Sequence, residues 1–225
     1  MAAVVSAPAS ISELMERAHS LAGCSLMQLA AQVDFSLPDD LLQLKGSIGQ
    51  LLELCLGADA GCLAQPDFTQ LGVELKTIPV NNQGKPMEST YVTVVPLTNL
   101  LGLTWENSEV RMKLAQVLWI PVQGEHRIPL AQRRVGFPIL WRPSMTEEKI
   151  LRQDWQELMD MVAMGELEKI TAKLGTALQI RPKGANSQAL CVGVGKEGQP
   201  IQTLPRGFYL RPSFTHEILT ESLHE

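Results

Sequence analysis

Between Gly72 and Val80 the chain reads Gly-Val-Glu-Leu-Lys-Thr-Ile-Pro-Val, with apolar Val73 and Leu75 alternating against Glu74 and Lys76. That alternation has the period of a β-strand, where residues i and i+2 share a face, so the carboxylate and the ammonium project together. Asp67 lies just upstream, where a turn can bring a second carboxylate to the end of the same strand. Two hard oxygen ligands beside a compact cation suit a Mg²⁺ site that attacks a phosphodiester. The alternative is an exposed strand face with a weak ion pair across it.

The rest of the chain mixes the two periodicities. Ser10-Ile-Ser-Glu13 and Ser25-Leu-Met-Gln28 have the capping-box pattern and predict two short helices within the first 33 residues. A third helix is expected from Ser47 to Leu56, stopped by Gly57; it is apolar nearly all round, so full burial is expected. Strand signals follow at 72–78, 91–95 and 117–122, and Asn81-Asn-Gln-Gly84 predicts a hairpin or meander between the first two. A short helix fits 106–115, and Trp155, Leu158, Met159 and Val162 recur at helical spacing in what should be the longest helix, 147–164. Beyond Gly165 come a short helical segment, a strand at 177–181, a polar loop at 182–187, a strand at 207–211 and a terminal helix from Ser213 to about Leu223. Gly193-Val-Gly195 reads as a turn. The class is α/β, a mixed sheet flanked by helices.

Composition narrows the function. The 225 residues can bury a sizeable core, and 5% aromatic content argues against a surface that works by stacking many bases. Cys24, Cys55, Cys62 and Cys191 form no CxxC pair, which fits a reduced, cytoplasmic setting better than a disulfide scaffold or zinc site. No signal peptide or membrane span is evident in the sequence. The net charge of −5 argues against nucleic acid until its distribution is read. Arg111, Lys113, Arg127, Arg133, Arg134 and Arg142 face one acid, Glu125, within 111–142; Lys173, Arg181, Lys183, Lys196, Arg206 and Arg211 face one, Glu197, within 173–211. Two basic regions in an acidic protein can form a DNA-facing groove, because local charge attracts phosphates; the alternative is two solvated faces. The four histidines show no ligand spacing, and GxSxG, P-loop and GxGxxG motifs are absent from the sequence.

Glu53 adds to the candidate site because it interrupts an apolar helix, and a buried carboxylate is costly unless paired or bound to a cation. A salt bridge to an arginine elsewhere would explain it equally. Mg²⁺ held by Asp67 and Glu74 would offset charge developing on phosphorus and acidify the attacking water, with Lys76 orienting that water or acting as a point charge on the transition state. Arg181 and Lys183, two apart at a strand end in a basic segment, can reach guanine O6 and N7; phosphate anchoring is their alternative.

Blocks spread through nearly the whole chain then carry a resemblance. Lys45-Gly-Ser-Ile-Gly-Gln-Leu-Leu-Glu53, Asp67-Phe-Thr-Gln-Leu-Gly-Val-Glu-Leu-Lys-Thr-Ile-Pro-Val80, Val110-Arg-Met-Lys-Leu114, Val117-Leu-Trp-Ile-Pro-Val122, Ile128-Pro-Leu-Ala-Gln-Arg-Arg-Val-Gly136, Asp154-Trp-Gln-Glu-Leu-Met-Asp-Met161, Leu178-Gln-Ile-Arg-Pro-Lys183 and Leu204-Pro-Arg-Gly-Phe-Tyr-Leu210 resemble, in order, the MutH family of bacterial mismatch-repair endonucleases. The resemblance implies one restriction-endonuclease-like domain over 1–225, with two lobes around a central DNA-binding cleft. It implies Mg²⁺-dependent nicking of the unmethylated strand, 5′ to the G of hemimethylated GATC in double-stranded DNA, by a monomer stimulated by MutL after MutS finds a mismatch. Asp67, Glu74 and Lys76 match the family's catalytic triad, and Glu53 an additional active-site acid. Lys45 and Lys113 match positions near the site or the DNA backbone; Arg181, Lys183 and Tyr209 match residues that read the sequence and its adenine methylation. Position 91 is Tyr where the family pattern has Phe, and position 184 Gly where it has Ala. A type II restriction enzyme of related fold, cutting both strands without a repair partner, is the competing reading. A non-enzymatic DNA-binding protein is disfavoured by the intact Asp67, Glu74 and Lys76.

Overall fold

The N-terminal helices begin where their caps dictate. Ser10 Oγ accepts from the Glu13 amide at 3.2 Å and opens α1 (Ile11–Leu21), and Ser25 and Gln28 cap α2 (Leu26–Gln32) reciprocally. These helices belong to a computed structural model that describes residues 5–38, 44–61, 65–183 and 188–221. Leu14, Ala18, Leu26 and Leu29 are buried against Leu51, Leu52 and Leu56 of α3 (Leu44–Leu56). α3 is not buried all round as its composition predicts: it packs against α1, α2 and one strand, and Leu54 on its remaining side is 46% exposed. The helix ends at Gly57, where φ is +77° and a Cβ would lie 2.3 Å from the Ser6 carbonyl oxygen, so no larger residue fits.

Eight strands follow among the described residues: β1 (Glu74–Val80), β2 (Thr90–Val94), β3 (Val117–Gln123), β4 (Ile139–Trp141), β5 (Leu178–Pro182), β6 (Cys191–Val194), β7 (Pro200–Thr203) and β8 (Arg206–Leu210). They form sheets of order β1-β3-β4, β2-β8-β5 and β6-β7. β1 runs parallel to β3, with Glu74 level with Val117 and Lys76 with Trp119, while the other pairings are antiparallel. β3 is buried over Val117–Ile120, as its near-continuous apolar run requires of a middle strand.

Two expectations fail here. The Asn81–Gly84 turn forms, with Asn81 N–H donating to the Lys85 carbonyl, but it does not pair β1 with β2. The returning chain makes only a bridge between Val80 and Pro86 and a bond from Met87 N–H to the Pro79 carbonyl. Pro86 has no N–H to continue a ladder, and β2 pairs with β8 instead. Gly193 and Gly195 do not both mark a turn: Gly193 lies inside β6, and the turn is at Gly195–Gly198. Gly193 sits in a strand because β7 packs closely there, a Cβ meeting Thr203 Cγ2 at 3.0 Å.

The remaining helices are α4 (Glu109–Leu114), α5 (Met145–Ala163, opened by the Ser144–Glu147 capping box) and α6 (Pro212–Glu221). The predicted end of α6 near Leu223 and most of the polar loop at 184–187 lie outside the described residues. The mixed α/β class, small sheets flanked by helices, is the one the sequence predicts. The chain divides into two compact units, the first of Met1–Glu88, Ala115–Arg142 and Ile218–Glu225, the second of Ser89–Leu114 and Pro143–Glu217.

Candidate active site

The first unit gathers Glu53, Asp67, Glu74 and Lys76. Val73 and Leu75 turn into the core with Phe68, and this places Glu74 and Lys76 together on the opposite face of β1. Lys76 Nζ donates to Glu74 Oε1 at 2.6 Å, with Glu74 itself only 3% exposed. The turn before β1 is closed by Phe68 N–H to the Val73 carbonyl and passes through Gly72 at φ +64°. It returns Asp67 to the strand, where Oδ2 accepts the Leu75 N–H at 2.7 Å. Asp59 locks the same turn from outside, its two oxygens taking the Thr69 amide and hydroxyl at 2.8 Å each. Glu53 enters from α3, on the side of that helix that carries Gly49.

Burial pushes the Glu53 carboxyl above its ordinary 4.5, repulsion from Asp67 and then Glu74 adds to this, and Lys76 opposes it. Among the described residues no arginine pairs with Glu53, so the salt-bridge alternative is not realised. Three carboxylates around one ammonium leave surplus negative charge, and their hard oxygens are the donors that Mg²⁺ prefers. Among the described residues no three His, Cys, Asp or Glu groups already stand as a closed metal-ligand set. The cluster therefore offers the charge and donor type that a divalent cation prefers.

The raised value for Glu53 carries a pH signature. The folded protein holds this proton more tightly than the unfolded chain, so the stabilisation is full below 4.5 and is lost as pH rises through the folded value. In metal-free buffer Glu53→Gln is expected to melt higher than the wild type at about pH 7.5, the gap closing as pH falls towards about 4.5. Melting curves across that range check it; a variant that melts lower at neutral pH would make Glu53 a structural anchor.

The second unit carries the other candidates except Lys45. Arg181 and Lys183 are exposed at the end of β5, Tyr209 is half-buried on β8, and Arg181 Nη1 donates to Ser89 Oγ at 2.6 Å. Lys113 is half-buried on α4 and belongs to this unit, where its charge acts on Tyr91; burial and then Glu109 push the Tyr91 phenol up, and Lys113 opposes them. Lys45 lies in the first turn of α3, but its side chain falls outside the described residues.

Arginines of the basic stretch 111–142 hold the protein together. Arg111 pairs with Glu148, Arg133 donates to the Ile128 and Glu125 carbonyls, Arg134 to the Gly23 carbonyl, and Arg142 to Gln116. Charge counting could not separate such anchors from a DNA-facing groove.

A family model described as "DNA mismatch repair enzyme MutH" matches residues 56–154, which include Asp67, Glu74, Lys76 and Lys113. The chain is 56% identical to the DNA mismatch repair protein MutH of Histophilus somni over 211 residues, 94% of each chain. It is 55% identical to the Yersinia enterocolitica protein of that name over 92% of this chain and 91% of the relative. The Serratia proteamaculans protein is 56% identical over 94% and 93%. The chain belongs to the MutH family.

MutH membership identifies the mixed α/β architecture as restriction-endonuclease-like and the protein as a mismatch-repair enzyme of the nuclease type. It also accounts for the ordered blocks found along the sequence. Two MutH-type blocks hold residues whose structural roles sequence reading missed. Asp154 of α5, 4% exposed, accepts the backbone N–H groups of Thr176, Ala177 and Leu178 at 2.6–2.9 Å and so fixes the start of β5. Its signal was available: a carboxylate one step before Trp155, on the buried stripe of Leu151, Trp155 and Leu158. Gly207, in the block ending at Leu210, leaves a gap that no spacing rule reveals. Among the described residues, no helix is long and apolar enough to cross a membrane.

Proposed function

We propose that this chain is a cytoplasmic, monomeric, Mg²⁺-dependent endonuclease that nicks the unmethylated strand 5′ to the G at hemimethylated GATC. The observation that carries the chemistry is the convergence of Glu53, Asp67, Glu74 and Lys76 in one unit of a MutH-family chain. The turn at Asp67 and the face of β1 bring hard oxygens to one place. Asp67 and Glu74 would hold the metal, with Glu53 supplying further negative charge beside them. When bound, Mg²⁺ supplies positive charge to the phosphate and makes an attacking water more acidic. Lys76 remains tethered to Glu74, so its ammonium is oriented before substrate arrives, and it offsets the charge that grows on the phosphate oxygens. Lys45 and Lys113 would follow the DNA backbone.

Recognition is assigned to the second unit. Arg181 and Lys183 would donate to base acceptors in the major groove, and Tyr209 would present its ring edge at the adenine methyl position. MutL is the partner expected to stimulate the nick, with MutS acting through it.

A plasmid with one hemimethylated GATC decides this reading. A nick confined to the unmethylated strand, requiring Mg²⁺ and increased by MutL, is the expected product. Double-strand cleavage of unmethylated DNA at low enzyme, indifferent to MutL, would replace it with the type II restriction reading.

A further inference from the structure

Arg181 of β5 and Lys183, one residue beyond that strand, rest in part on Ser89 and Tyr91, which the proposed function leaves without a role. β8 is the middle strand between β2 and β5, with Gly207 level with Arg181, and Tyr209 level with both Tyr91 and Gln179. Gly207 leaves a bare patch over which the rings of Tyr91 and Tyr209 close; a Cβ there would stand 3.0 Å from Cε2 of each. The rings meet edge-on, with centres 5.4 Å apart at 65°. Arg181 lies with Cζ 5.7 Å from the Tyr209 ring centre while Nη1 donates to Ser89 at 2.6 Å. Lys183 sets Nζ 3.7 Å from the centre of the Tyr91 ring. Two residues two apart on one side of β8 thus hold two cations two apart on the other.

We propose that Ser89, Tyr91 and Gly207 are positioning residues for base discrimination, holding Arg181 and Lys183 at a fixed spacing before DNA arrives. This rests on the reading that Arg181 and Lys183 meet the bases. Long cationic side chains lose rotamer freedom on contact, and a side chain already seated on a hydroxyl or a ring loses less. A seated cation also cannot swing to an equivalent acceptor on a wrong base, so the seat acts on selectivity more than on affinity. Arg181 spends one N–H on Ser89 and keeps the others of its planar fork for guanine O6 and N7. An aromatic face attracts the Lys183 ammonium without taking its hydrogen-bond donors. Gly207 is not in the left-handed region, so alanine is compatible with its backbone; what alanine displaces is the pair of rings.

The test compares nicking of duplexes carrying hemimethylated GATC, fully methylated GATC and a one-base near-cognate site, as ratios of kcat/KM, with melting temperatures measured alongside. Ser89→Ala and Gly207→Ala are expected to lower the cognate to near-cognate ratio about tenfold, the scale of one base contact. Tyr91→Leu, which removes the seat of Lys183, is expected to lower the same cognate to near-cognate ratio similarly, and Tyr91→Phe, which keeps the ring, to restore it. Unchanged or raised ratios in Ser89→Ala, Gly207→Ala and Tyr91→Leu, when Arg181→Ala has lost discrimination, overturn the positioning role alone. A uniform fall on all three duplexes also overturns it, as a loss of folding or general binding. A wild type that fails to distinguish the duplexes removes the proposed function itself.

Discussion

Asp67→Asn is expected to slow nicking by on the order of 10²–10³-fold, the scale on which losing one preorganised electrostatic group lowers turnover. The substitution is chosen for its geometry. An asparagine carbonyl can still accept the Leu75 N–H that Asp67 Oδ2 takes at 2.7 Å, so the turn before β1 is kept while the charge is lost. Melting should therefore change little, and single-turnover nicking at several Mg²⁺ concentrations should show a weaker metal dependence as well as a lower rate. Lys76→Ala should match that loss of rate but also lower stability, because it leaves the buried Glu74 carboxylate without the ammonium now 2.6 Å away. Wild-type nicking in either variant would remove these residues from the chemistry.

Asp154→Ala is expected to give the largest loss of stability. The carboxylate is buried and serves three successive backbone N–H groups, of which those of Ala177 and Leu178 belong to buried residues. Leaving such donors unpaired costs about 3 kcal/mol or more in total, which for a chain of this length lowers the melting temperature by about 6–12 °C. The surrounding loop cannot easily rearrange to find other acceptors. Gly175 sits at φ +81°, and Arg211 fixes the carbonyls of Ala172, Leu174 and Gly175 at 2.8–2.9 Å. Asp154→Asn should fall between, because its amide N–H₂ would face donors where a carboxylate oxygen now accepts. Thermal melting checks both; a shift equivalent to less than about 1 kcal/mol would mean that water takes over the acceptor role.

The elements set by local chemistry were legible in the sequence. Ser10, Ser25 and Gly57 mark helix ends through caps that depend on a few neighbouring residues, and the period of two at Val73–Lys76 places the two charged side chains on one face. Strand pairing was not legible in the same way. The turn at Asn81–Gly84 has hairpin chemistry, yet β1 took β3 as its partner and β2 took β8, because long-range packing of apolar strands outweighs a turn preference. The acid cluster was readable in its members but not in its electrostatics: the raised pKa of Glu53 depends on how near α3 brings it to Asp67 and Glu74. In the second unit Arg181 and Lys183 stood out by charge. Ser89 and Gly207 did not, since a hydroxyl and a missing side chain carry no pattern until three strands lie side by side.

The division at 88/89, 114/115, 142/143 and 217/218 means that neither unit is one continuous piece of chain. Cutting the gene once cannot yield either unit by itself: a cut at 88/89 leaves the second unit whole but still joined to residues 115–142 and 218–225 of the first. During synthesis the ribosome must pass residue 218 before the first unit can gather its third segment. Exchange of specificity between relatives by recombination would need at least two matched crossovers within one gene. If the second unit reads the bases as proposed, point substitution on β2, β5 and β8 is the simpler route by which such a protein could change the DNA it reads.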